Sequence, residues 1–183
     1  MDHLANYRQL VAKVDGLCSF IEQEFAASIA CRPGCDRCCR HLTLFPVEAW
    51  ALAKAATALP EATRSRIRQR AQAGTDLSCP LIEEGRCLLY ANRPIICRTH
   101  GLPLLMTEGC NQRIDFCPDN FKDLDSLPGK AVIRLDLLNE ALAAINGHFL
   151  ACADTGVPAG EERRSIGEAL LLNTITPEPV EEP

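Results

Sequence analysis

Between residues 31 and 39 the chain reads Cys31-Arg32-Pro33-Gly34-Cys35-Asp36-Arg37-Cys38-Cys39, which puts four thiols within nine residues. Four sulfurs this close face one centre only if the backbone turns tightly. Pro33-Gly34, between the first two, is the dipeptide for such a turn. The chain holds eleven cysteines in 183 residues. The first twenty residues have neither the basic nor the apolar region of a secretory signal, and no apolar run approaches the roughly 20 residues of a membrane span. The expected compartment is therefore the cytoplasm, where thiols stay reduced. There an odd, dense set of cysteines is better explained by metal than by disulfides.

A formal net charge of -5 gives no basic footprint, so nucleic acid is not an expected partner and neither is a membrane. The length suits one domain, expected over residues 1–173 with a motif core at 31–117. The tail Thr174–Pro183, rich in proline and acid, is expected to be disordered.

Apolar residues from Leu4 to about Ile29 recur at three- and four-residue steps, which predicts an amphipathic helix with Cys18 on its buried stripe. Pro46 suits the first position of a helix to about Leu59, with Glu48 placed for the helix dipole. Pro60 and Gly74 bracket another, whose arginines Arg64, Arg66, Arg68 and Arg70 read as a solvated face, with anion or partner binding as the sharper alternative. Further helices are expected over 131–152 and 161–172. The stretch Leu77–Phe121 shows no sustained period and is rich in Cys, Pro, Gly and Arg, so it needs a staple to hold a fold. The fold class expected is mainly α: a small helical bundle around a cysteine-rich, irregular metal-binding segment.

That segment carries Cys79, Cys87, Cys97, Cys110 and Cys117. With Cys31, Cys35, Cys38 and Cys39 they make nine candidate metal ligands. Thiolate-rich sites select zinc or an iron–sulfur cluster over harder cations. Eight thiols fill two four-cysteine sites and leave one over, and the adjacent pair Cys38-Cys39, whose side chains tend to diverge, raises the prospect of two centres. Arg32, Arg37, Arg40, Arg86, Arg93, Arg98 and Arg113 lie beside cysteines and are placed to offset thiolate charge, Arg93 and Arg98 being the ones singled out beside the centre. His41 and His100 are candidate nitrogen ligands or hydrogen-bonding neighbours.

The spacing Cys31-x3-Cys35-x2-Cys38 is shared with radical-SAM enzymes, but the long strand–helix alternation those need is missing. A wider resemblance covers about residues 31–101. Cys31-x3-Cys35-x2-Cys38-Cys39, Cys79-Pro80-Leu81-Ile82, Gly85-x-Cys87, Tyr90 and Arg93-Pro94-x2-Cys97-Arg98-x2-Gly101 resemble the YkgJ-type cysteine-cluster family, a zinc- or iron-chelating CxxCxxCC domain. The resemblance implies a bacterial protein that chelates zinc or iron, with an iron–sulfur cluster as one form. A related motif is similar to one in flagellin lysine methylases, yet no Gly-rich nucleotide fingerprint follows a strand here. His100 departs from the aromatic residue of the pattern, and Cys110 and Cys117 lie beyond its matched part. Three readings follow: a structural or redox metal-binding protein, an iron–sulfur redox or protein-modifying enzyme, and a zinc-stapled interaction module. The first is favoured because ligands are identifiable while no acid, base or nucleophile with a partner is.

Overall fold

The computed structural model describes residues 2–32, 34–40, 42–74, 78–152 and 163–172. His41, the start of the last expected helix and the tail expected to be disordered lie outside them. The protein is mainly α, as its sequence predicts. Helix α1 (Ala5–Glu24) buries Tyr7, Val14, Cys18 and Ile21 on one stripe. It stops five residues before Ile29. Phe25 leaves the helical conformation and stacks edge-on against Phe121, ring centroids 5.8 Å apart.

A two-residue strand β1 (Thr43–Leu44) leads into α2 (Pro46–Ala56), whose first residue is the expected proline. The Phe45 N–H donates to Glu48 Oε2 at 3.1 Å, closing the helix start. Helix α3 (Glu61–Ala73) begins after Pro60 and ends at Gly74, whose φ of 56° is a left-handed cap that glycine adopts without strain. Next come the hairpin β2 (Ile82–Glu83) and β3 (Arg86–Cys87), a 3₁₀ turn at Tyr90–Asn92, and the short α4 (Ile95–Thr99).

The stretch without a sequence period contains a second hairpin, β4 (Leu104–Glu108) with β5 (Asn111–Asp115), in register Leu104↔Asp115 to Glu108↔Asn111. β6 (Ile133–Arg134) joins β4 in parallel and delays the long C-terminal helix, α5, to Leu135–Ala151. Finally β7 (Arg164–Ser165) pairs with β1 and opens α6 (Ile166–Leu170) through a reciprocal cap. Glu168 N–H donates to Ser165 Oγ and Ser165 N–H to Glu168 Oε2.

Two apolar clusters hold these elements. One joins α1, α4 and α5 through Val14, Ile21, Ile95, Leu142 and Phe149. The other packs α2, α3 and α6 through Leu52, Ile67 and Ile166, and extends to Leu81, Leu89 and Cys79. Full burial of a side chain the size of Phe149 contributes about 1.5–3 kcal/mol. Arg98 adds a polar tie: its Nη1 donates to both carboxylate oxygens of Asp15 at 2.6 and 2.7 Å, while Nε and Nη2 donate to the Arg93 and Ala91 carbonyls. Helix α4 is thereby fixed against α1. No helix among the described residues is long and apolar enough to cross a membrane.

Candidate metal centre

The chain turns three times in succession through the cysteine loop. Cys35 N–H donates to Arg32 O, Cys39 N–H to Asp36 O and Arg40 N–H to Cys38 O, at 2.8–3.1 Å. An antiparallel bridge Arg40↔Ser78 and a bond from Cys79 N–H to Cys39 O at 3.1 Å then lay the second cysteine segment alongside the first. The β2–β3 hairpin returns Cys87 opposite Ile82, and its turn residue Gly85 meets Gly34 backbone to backbone. A Cβ at Gly85 would stand 3.1 Å from Gly34 O, so neither the φ of 72° nor the space there suits a side chain.

Two groups of thiols result. Cys31 faces Cys117, Cys38 and Cys35. A Cβ at Gly101 would sit 3.3 Å from Cys31 Sγ and 3.6 Å from Cys117 Cβ, so these two thiols close over a bare backbone. In the second group Cys39 faces Cys79 and Cys97, Cys97 faces Cys79 and Cys87, and all four lie in the α2–α3–α6 apolar cluster. Cys38 and Cys39, neighbours in sequence, stand where the groups meet.

All eleven cysteines are free thiols. Cys18 is a buried core residue, as expected from its helical stripe, and Cys152 is exposed beside His148. Cys110 is exposed in the β4–β5 turn.

Burial pushes Cys97 up to about 12, and it raises Cys79 and Cys87 as well. Backbone N–H groups of Leu81 and Leu89 act the other way, donating to Cys79 and Cys87. The adjacent Cys39 thiol, with the charge of Arg93 and His100 nearby, draws Cys38 below the ordinary thiol range. Arg93 faces Cys38, Cys87 and Cys97 with its positive charge while stacking on Tyr90 at 3.8 Å and donating to Cys97 O. Arg98, by contrast, has its guanidinium occupied by Asp15 and two carbonyls.

Among the described residues no three His, Cys, Asp or Glu side chains are close enough to hold a metal ion. Four thiolates on zinc, with bonds of about 2.3 Å, stand only about 3.8 Å from one another, and uncharged thiols have no reason to draw so close. The donor set nevertheless fits a soft metal. It offers thiols, backbone N–H groups aimed at sulfur, and an unanswered cation beside it. Arg70 faces Cys79, and its Nε and Nη2 are buried with no partner among the described residues, Nη1 alone donating to Ile82 O at 2.9 Å.

Residues 30–118 match the model of a family named CxxCxxCC and described as a "Putative zinc- or iron-chelating domain". The chain carries a CxxCxxCC domain. No curated protein and no solved structure matches it. The match runs past the segment whose resemblance is visible by eye and takes in Cys117.

Three further residues shape the site: Asn120, just past the matched segment and unmarked in the sequence, and Glu48 and Arg70, whose sharper alternative readings are contacts beyond their own helices. Asn120 donates to Gly101 O at 2.7 Å and to Cys31 Sγ at 3.6 Å, and accepts from Ala30 N–H at 2.9 Å, clamping both ends of the first thiol group. Glu48, singled out for its own helix, also accepts from Ile95 N–H at 3.0 Å and so sets the start of α4, which carries Cys97. Arg70 belongs to the helix face expected to be solvated. Its partners Ile82 and Cys79 lie beyond the end of α3, where periodicity carries no signal.

Proposed function

We propose that this protein takes up zinc or iron through thiolates, in a structural or redox role, within a compartment that keeps its cysteines reduced, as the cytoplasm does. Cys31, Cys35, Cys38, Cys39, Cys79, Cys87, Cys97 and Cys117 are the donors. The observation that carries this is the gathering of eight thiols from four separated parts of the chain, with arginine charge and backbone N–H groups directed at them. A bound metal would supply the positive charge that lets buried thiols such as Cys97 ionise, and would fix the irregular segment to the cysteine loop. The residues themselves hold the donors in place: Arg93 and Arg70 offset thiolate charge, Asn120 and Gly101 position Cys31 and Cys117, and Glu48 positions Cys97.

Anaerobic purification followed by metal analysis and a visible spectrum tests the reading. Zinc without colour, or iron with sulfide and broad absorbance near 400 nm, each supports it and names the metal. A reduced chain that contains neither metal and binds neither zinc nor ferrous iron when they are added overturns it.

A further inference from the structure

We infer that the eight thiols form two separate four-thiolate centres, one of Cys31, Cys35, Cys38 and Cys117 and one of Cys39, Cys79, Cys87 and Cys97, abutting at the Cys38-Cys39 peptide. This rests on the metal-binding reading and assigns each ligand to a centre.

A tetrahedral zinc or a four-iron cluster takes four cysteines, so eight donors exceed one such centre and match two. Position then divides them. Cys31 and Cys117 close over Gly101 and Asn120, with Cys35 and Cys38 beside Cys31 in the tightly turned loop. The thiols around Cys97 lie in the apolar cluster, held by the β2–β3 hairpin, the start of α4 and the bond from Cys79 N–H to Cys39 O. Each group draws on both halves of the ligand sequence, so each ties the cysteine loop to the segment beyond residue 78.

Four thiolates on a divalent ion leave about two negative charges, which water answers at the surface and which a buried site must answer from the protein. Cys31 and Cys35 are exposed and lean on water, whereas the Cys79 group has two guanidinium groups at hand. Arg93 faces Cys87 and Cys97, and Arg70 faces Cys79 with two buried N–H groups that lack any partner among the described residues. The unanswered cation stands beside the buried group of thiols. That is the more buried of the two groups, where water answers charge least.

Cobalt(II) titration of the reduced, metal-free, full-length chain tests the division, because thiolate-bound cobalt absorbs in the near ultraviolet and visible. The wild type should saturate at two equivalents. Cys35→Ser and Cys87→Ser should each saturate at one, and Cys110→Ser at two. In the Cys35→Ser chain loaded with one equivalent, Cys39, Cys79, Cys87 and Cys97 should resist N-ethylmaleimide while Cys31, Cys38 and Cys117 react. Arg70→Ala should weaken the centre that contains Cys79 about tenfold and leave the other unchanged. Saturation of the wild type at one equivalent, or loss of both equivalents in a serine variant that keeps its helical circular dichroism, overturns the division while leaving metal binding intact. If a serine variant does not fold, the wild type loaded with one equivalent decides. Protection of one complete set of four in each molecule supports two centres, and protection mixed across the sets overturns them. Failure to bind cobalt at all overturns the metal-binding reading itself.

Discussion

The two groups of thiols differ in what surrounds them more than in what they contain. Cys79 is buried among Leu81, Leu89 and Ile166, and its neighbours receive backbone N–H bonds and arginine charge. Cys31 and Cys35 are exposed, and their group is framed by Asn120, by Gly101 and by the Arg37–Asp119 ion pair. An apolar, hydrogen-bonded setting resists exchange and hydrolysis, while an exposed one trades its metal and meets oxidants readily. The difference teaches that one loop can present its thiols to two unlike settings a single residue apart.

Metal removal should break the contrast most visibly. At free metal 1,000 times the dissociation constant, binding contributes about 4 kcal/mol to stability. A chelator under reducing conditions should therefore lower the melting temperature and raise amide exchange from residue 78 to 121, with the exposed group's metal leaving first. Equal rates of release from the two groups would erase the distinction.

Asn120→Ala comes next. It leaves Gly101 O and Ala30 N–H without their partner, a loss of about 1–3 kcal/mol. Maleimide labelling should rise at Cys31 and Cys117 and stay low at Cys79 and Cys97, and labelling that rises evenly would mean the groups are not independent.

Glu48→Gln should cost about 1–2 kcal/mol, because an amide cannot accept from both Phe45 and Ile95 without turning a donor toward one of them. Burial holds the Glu48 carboxyl above its ordinary value of 4.5, against the pull of those two N–H groups and Arg163. The folded chain thus binds this proton more readily than the unfolded one. Its contribution is complete below pH 4.5 and is lost as pH rises through the folded value, so the wild type's advantage over the variant should shrink from mildly acidic to neutral pH in paired thermal melts. An advantage that widens with pH would contradict the burial argument. The smallest effect belongs to Cys110→Ser, an exposed turn substitution expected to move stability by less than about 0.5 kcal/mol and metal content not at all.

The helices were legible because their buried stripes and their proline and glycine boundaries are local signals: Pro46, Pro60 and Gly74 stand where expected. The β4–β5 hairpin was not. Every residue of β5 is exposed, so no alternation of apolar and polar residues marks it. In the site, the thiols announced themselves by density and spacing, whereas their grouping depends on contacts between distant segments. Asn120 acts on a sulfur 89 residues away and Glu48 on an amide 47 residues away, and no window along the chain holds both partners.

Those separations also bear on how the protein comes to be folded. Helix α1 forms from neighbours and is complete within microseconds, but the Asn120 clamp on Cys31 must close a loop of 89 residues before any contact rewards it. The Cys31 and Cys117 pairing therefore waits on the closure of that long loop. Until then eleven reduced cysteines share one open chain. Newly made protein is at its most vulnerable to oxidation and to mismatched ligation in that interval, and a supply of metal at the moment of synthesis shortens it.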